Sequence, residues 1–175
     1  MMDNTVERES VRIEVIVPVS VRKITQEELE NSIARVVGEI PYLSYIPLQD
    51  TMDEVLNNWL KLINAKLDYL IGLLTREKEG FGKLSLRKVN ISEKGISLKC
   101  SEKLSPGDFI EIKILLDIFG PVGFYLYGKV VWAREEEEGT RVGAEFVKMP
   151  ADIRDKLGFY ILNKQREIIR EKRLG

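Results

Sequence analysis

Histidine is absent from this 175-residue chain, and cysteine occurs once. The first absence removes the usual general base, the usual activator of a nucleophile and the commonest metal ligand. Together they argue against a zinc site and exclude an internal disulfide. Cys100, at an alternating apolar position, reads as a small core residue. The chain also lacks an excess of either charge: 27 basic residues stand against 28 acidic ones. Bulk electrostatic binding to nucleic acid is not indicated, and no basic face with interleaved aromatics is found. No apolar run is long enough to cross a membrane, and the opening Met-Met-Asp-Asn-Thr-Val-Glu-Arg lacks the basic-then-apolar order of a signal peptide. A cytoplasmic protein is expected, with no membrane insertion, no metal and no cofactor. No acidic pair sits in a setting that suggests carboxylate chemistry, so an enzyme is not expected either.

What is present is an apolar content of 44%, enough for one good core with an appendage. Between Lys83 and Met149 short segments alternate with period two. Ile96, Leu98 and Cys100 form one set, Ile110, Ile112, Ile114 and Leu116 another. A third run covers Phe124 to Ala133, and a fourth has Val142, Ala144 and Phe146 on one face. Ser105-Pro106-Gly107-Asp108, Gly120-Pro121 and Glu138-Gly139 supply turns between them. Strands at this spacing predict a small antiparallel barrel. Trp132 is read as core, with a place beside a ligand as the alternative. Glu135 to Glu138 is read as a solvated hairpin tip.

Inside this stretch, Asn90-Ile91-Ser92-Glu93-Lys94-Gly95 reads as a strand end entering a tight turn. Val89 and Ile91 face the core, so Asn90 and Ser92 are expected side by side on the outside. Gly95 is expected to take a positive φ. By itself the segment reads more simply as an ordinary Asn/Ser turn that satisfies its own backbone.

An earlier strand is predicted at Val11 to Ile24, with Pro18 marking an edge or bulge. Arg8 and Arg12 lie four residues apart on the leader into it. Two guanidinium groups there can grip phosphates bidentately or lie flat on a purine, and a mobile N-terminus with incidental arginines is the alternative.

Residues 25–82 read as helical. Thr25-Gln-Glu-Glu28 has capping-box spacing, and Leu29, Ile33, Val36, Val37 and Ile40 predict a helix ended by Pro41. After a connector, a second helix is predicted to begin near Asp50 or Thr51, where Thr51-x-x-Glu54 repeats the box. Leu56, Leu60, Ile63, Leu67, Leu70 and Leu74 follow at heptad spacing, with Leu60, Leu67 and Leu74 at a. Trp59, Leu62, Tyr69, Ile71 and Leu73 widen the apolar face beyond what a two-stranded zipper needs. Self-association beyond a dimer is expected, most simply a tetramer of parallel helices; packing on the chain's own barrel is the alternative. Gly80-Phe81-Gly82 breaks this helix. Pro150 begins a last one, with Ile153, Leu157, Tyr160, Ile161 and Ile168 at helical spacing. Lys164, Arg166, Arg170, Lys172 and Arg173 near its end suit the helix dipole.

Taken together, these residues resemble the PilZ domain, a bacterial six-stranded barrel that commonly binds cyclic di-GMP. Its two signatures stand here as Arg8-x-x-x-Arg12 and Asn90-x-Ser92-x-x-Gly95. Leu104-Ser-Pro-Gly107-Asp108, Gly128-Lys-Val-Val-Trp132 and Val142-Gly143-Ala-Glu-Phe146 support the likeness, which covers roughly residues 8–24 and 83–170. Two departures stand out: Asn90 where aspartate is commoner, and the long helical segment between the signatures. The insertion is similar to the tetramer-forming branch of the family, whose inserted helices make a coiled coil and whose members can lack both arginines and ligand.

The resemblance implies an α+β fold: a PilZ-like barrel with C-terminal helix (1–24 and 83–175) and an inserted two-helix oligomerisation segment (25–82). It implies a cyclic di-GMP site at Arg8, Arg12, Asn90, Ser92 and Gly95, and signalling through ordering of the arginine leader. The alternative it carries is a ligand-free tetrameric scaffold for a type IV pilus or flagellar motility complex.

Overall fold

The computed structural model describes residues 10–39 and 49–175. Arg8, Ile40, Pro41 and most of the connector at 42–49 lie outside the described residues. The described elements are β1 (Ile13–Ile24), α1 (Gln26–Glu30), β2 (Arg35–Val37), α2 (Glu54–Lys78), a 3-10 turn at Phe81–Lys83, β3 (Leu86–Ile91), β4 (Gly95–Cys100), β5 (Phe109–Asp117), β6 (Pro121–Glu135), β7 (Thr140–Val147) and α3 (Ala151–Leu174).

Six antiparallel strands run in the order β6-β5-β1-β3-β4-β7, and pairing of β6 with β7 closes them into a barrel. Closure removes the open sheet edges except at the start of β6, which runs past its pairing with β7. β1 serves two neighbours: Ile13 to Pro18 pair with β3, and Val19 to Ile24 pair with β5. Pro18 stands at that changeover, where a missing N–H is tolerated. The interior holds the residues that period two points inward, among them Val19, Val89, Ile91, Leu98, Ile110, Ile112, Ile114, Phe124, Leu126 and Val142. Ile153, Leu157, Tyr160 and Ile161 of α3 join the same core. Each such side chain contributes roughly 1.5–3 kcal/mol of hydrophobic stabilisation.

The helix expected over residues 25–40 is corrected. Its capping box forms as expected, with Thr25 and Glu28 bonding reciprocally, but α1 spans five residues. Asn31 Nδ2 and Ser32 Oγ then bond back to the carbonyls of Glu27 and Glu28. Beyond them, Arg35-Val36-Val37 pairs with Tyr125-Phe124-Gly123 as a seventh strand on β6. Two adjacent valines fit a pleated edge better than a helix turn. Among its described residues the inserted segment therefore holds one short helix, one strand and one long helix, followed by the 3-10 turn. A second cluster covers the outside of the barrel here, joining Ile24, Leu29, Val37, Phe81, Tyr125 and Tyr127.

The start of α2 is also corrected. Asp53 is its N-cap and accepts from Leu56 N, whereas Thr51 bonds to Asn57 and to the Asp53 carbonyl. Gly80, in the left-handed region at φ 81°, ends the helix as expected.

Candidate functional site

The turn after β3 is built from its own hydroxyl. Ser92 Oγ accepts from Lys94 N and Gly95 N at 3.2 Å each, while Ser92 N donates to the Gly95 carbonyl at 2.9 Å. Ser92 is 1% exposed, so its expected outward placement is corrected. Alternation ceases to apply because the strand ends at Ile91, one residue earlier. Gly95 is corrected as well. It opens β4 in ordinary backbone conformation, outside the positive-φ glycines, and a Cβ there would run into the carbonyl oxygen of Ala144 on β7. Close approach of two strands is what requires glycine here.

Asn90 does face outward, with Val89 and Ile91 buried on either side of it. It pairs with Glu14 on β1 and with Ser97 on β4. Ser97 pairs with Gly143 on β7, and Gly143 with Trp132 on β6. These residues form one continuous cross-strand row on the outer barrel face. Asn90 Oδ1 is buried yet has no hydrogen-bond partner among the described residues, a costly state for an amide oxygen. At the far end the Trp132 indole lies against Gly143, where any Cβ would meet the ring. Trp132 is 41% exposed, which corrects its reading as core. Strict alternation from buried Val130 would send it inward. An extra residue at Val131 shifts the register between Val130 and Trp132, turning the indole to the outside.

Arg12 is exposed and sits one residue before β1. Because Ile13 pairs with Ile91, the antiparallel register brings Arg12 level with Ser92, at the edge of the row. Arg8 lies outside the described residues.

The second candidate surface is α2. Its polar anchor is at the C-terminal end: Arg76, 6% exposed, donates through Nη1 to the carbonyls of Pro121 (2.9 Å) and Gly38 (3.3 Å). Glu79, the C-cap, accepts from Tyr125 Oη at 2.7 Å and pairs with Arg35 at 3.3 Å, and Lys113 Nζ donates to its carbonyl at 2.8 Å. These contacts, Tyr125 foremost, hold the Glu79 carboxyl below its usual range. Burial, reinforced by Glu79, pushes the Tyr125 phenol up to about 12. Beyond this root only Gly72 is also buried, and the six seam residues Leu56, Leu60, Ile63, Leu67, Leu70 and Leu74 are 46% to 67% exposed. Packing of the seam on the chain's own barrel is therefore not what the structure has.

The family model of the PilZ domain matches residues 71–163, more than half of the chain. The chain belongs to the PilZ domain family. It is also similar to a solved structure of a pathogenic protein from Xanthomonas campestris, a tetrameric PilZ domain self-assembled via an unusual helical bundle. The TM-score is 0.63 at 16% identity, over 94% of this chain and 90% of that one. At that identity the likeness shows the fold. No curated protein matches.

In this PilZ domain the Asn-x-Ser-x-x-Gly signature thus divides its work. Asn90 is the outward polar group, and Ser92 and Gly95 hold the turn and the β4–β7 approach behind it. Ser97 and Trp132 were missed as neighbours of Asn90 from sequence. The alternation of β4 alone places Ser97 outside, but Trp132 needed the bulge, and no local signal announces it. Among the described residues no group of three or more acidic, cysteine or histidine side chains could hold a metal ion.

Proposed function

We propose that this PilZ domain is a cytoplasmic cyclic di-GMP receptor that assembles through α2 and has no catalysis of its own. The observation that carries the reading is the row from Asn90 to Trp132, with an amide oxygen unpartnered among the described residues near one end and an open indole at the other. Guanine N–H groups supply the donor that Asn90 Oδ1 lacks, and the indole offers a stacking face. Arg12 at the row's edge, with Arg8 four residues before it in sequence, provides guanidinium for phosphate oxygens and for guanine O6 and N7. Ser92 and Gly95 act by holding the rim in place. Ordering of the arginine leader over that rim is the switch, and α2 carries the seam of a tetramer.

The test is calorimetric titration with cyclic di-GMP. The wild type binds, and Arg12→Ala and Asn90→Ala each weaken binding roughly tenfold to a hundredfold, as expected for about 1.5–3 kcal/mol per lost charged or buried hydrogen bond. Trp132→Ala falls in the same range, since base stacking contributes about 1–3 kcal/mol. No heat from wild type at millimolar ligand would sink the reading and favour the ligand-free scaffold of a pilus or motility complex.

A further inference from the structure

The outer face carries a second cross-strand row beside the first. Lys99 on β4 pairs with Arg141 on β7, and Arg141 pairs with Arg134 on β6. Each lies two residues along its strand from Ser97, Gly143 or Trp132. The two rows therefore share one face at a separation of roughly 7 Å. Three cations on adjacent strands repel one another, an arrangement that destabilises a sheet unless something answers it.

Part of the answer is Glu136, from the hairpin tip after β6. It accepts from Arg141 Nε at 2.9 Å and lies 3.4 Å from Lys99 Nζ. Arg141 first, then Lys99, hold its carboxyl below the usual range. Glu135 turns instead to Lys103. Among the described residues no carboxylate pairs with Arg134. One carboxylate thus answers two of the three cations, next to a row that holds an aromatic platform and an amide oxygen without a partner among the described residues.

We infer that Lys99, Arg141 and Arg134 form a strand-borne phosphate subsite for the cyclic dinucleotide, and that Glu136 is a built-in competitor which a ligand phosphate displaces. The inference rests on the receptor reading above and adds residues outside both signatures. A guanidinium binds phosphate as it binds carboxylate, so Glu136 occupies Arg141 with the chemistry a phosphate would use. A base stacked on Trp132 would leave its phosphate within reach of the neighbouring row. The Glu136 contacts are partly solvent-exposed, and ion pairs of that kind are weakly held, so exchange for a dianionic ligand is not barred. The acidic tip then raises the ligand concentration needed for occupancy, a role beyond solvation.

The experiment is calorimetric titration with cyclic di-GMP of wild type, Arg134→Ala, Arg141→Ala and Glu136→Gln, with Asn90→Ala and Trp132→Ala as references. Arg134→Ala and Arg141→Ala should each weaken binding about tenfold, and Glu136→Gln should tighten it severalfold. Arg134 makes no ion pair within the described residues, so its variant reads binding without a folding complication. If both arginine variants stay within about twofold of wild type while Asn90→Ala and Trp132→Ala weaken, the subsite is overturned and the receptor reading stands. A Glu136→Gln protein that binds more weakly than wild type would overturn the displacement. A wild type that takes up no ligand would overturn the receptor reading and the subsite together.

Discussion

At Gly95 the backbone of β4 runs so close to Ala144 that a side chain has no room. Gly95→Ala must push β4 from β7 or tilt the turn, and strain of this kind costs about 1–3 kcal/mol. For a chain of this size the melting temperature should fall by roughly 2–12 °C. An unchanged melting temperature would show that the strands approach less closely than this geometry requires. Ser92→Ala also carries a stability cost, because two N–H groups of the turn lose their acceptor. An affinity loss in that variant alone would therefore not show that the hydroxyl touches ligand. Alternation was sufficient to place Val89 and Ile91 inside and Asn90 outside. It failed at Ser92, where the strand has ended, and at Trp132, where one inserted residue reverses the phase. Both failures have the same cause: period two holds only within an unbroken ladder.

At the scale of elements, the barrel strands were legible because each pairs one apolar face with one polar face. The segment 25–40 was not. Leu29, Ile33, Val36 and Val37 satisfy helical spacing, but β6 offers an unpaired edge at Gly123 to Tyr125, and pairing with it outweighs the local pattern. Equally illegible was how α2 is rooted. Arg76 follows the last seam residue, Leu74, with nothing in its spacing to mark it, yet it is buried against two carbonyls supplied by β6 and by the end of β2. Gly38, at φ 78°, leaves room for its stem, where a Cβ would be too close. Arg76→Ala removes the donor from both carbonyls, an expected loss of about 1–3 kcal/mol. Native-state hydrogen exchange should report it locally, as faster exchange in the last turns of α2 with the β1–β5 ladder still protected. Equal protection of α2 in variant and wild type would mean that the Glu79 cluster alone roots the helix.

For the whole molecule the unsolved face is α2, a 25-residue helix about 37 Å long that exposes an unbroken apolar seam. Trp59, Leu62, Tyr69 and Ile71 lie exposed beside that seam, so the face is wider than two helices would cover. Burial of the seam leucines in a bundle contributes roughly 1.5–3 kcal/mol each before ordering costs, which several residues per chain exceed. Wild type should elute at four times the mass of one chain in size exclusion coupled to light scattering. Ile63→Asp combined with Leu67→Asp places unpaired charges at adjacent d and a positions and should return the protein to monomers. Both residues are exposed in the single chain, so the barrel has no reason to unfold with them. The Asn90 to Trp132 row lies on β3, β4, β7 and β6, whereas α2 is rooted through β2, the start of β6 and the Glu79 cluster. Cyclic di-GMP affinity per chain should therefore be the same in the monomeric variant as in wild type. A wild type that runs as a monomer at micromolar concentration would leave the seam without a partner copy. A tetramer whose dissociation abolishes binding would mean that the row is completed by a second chain.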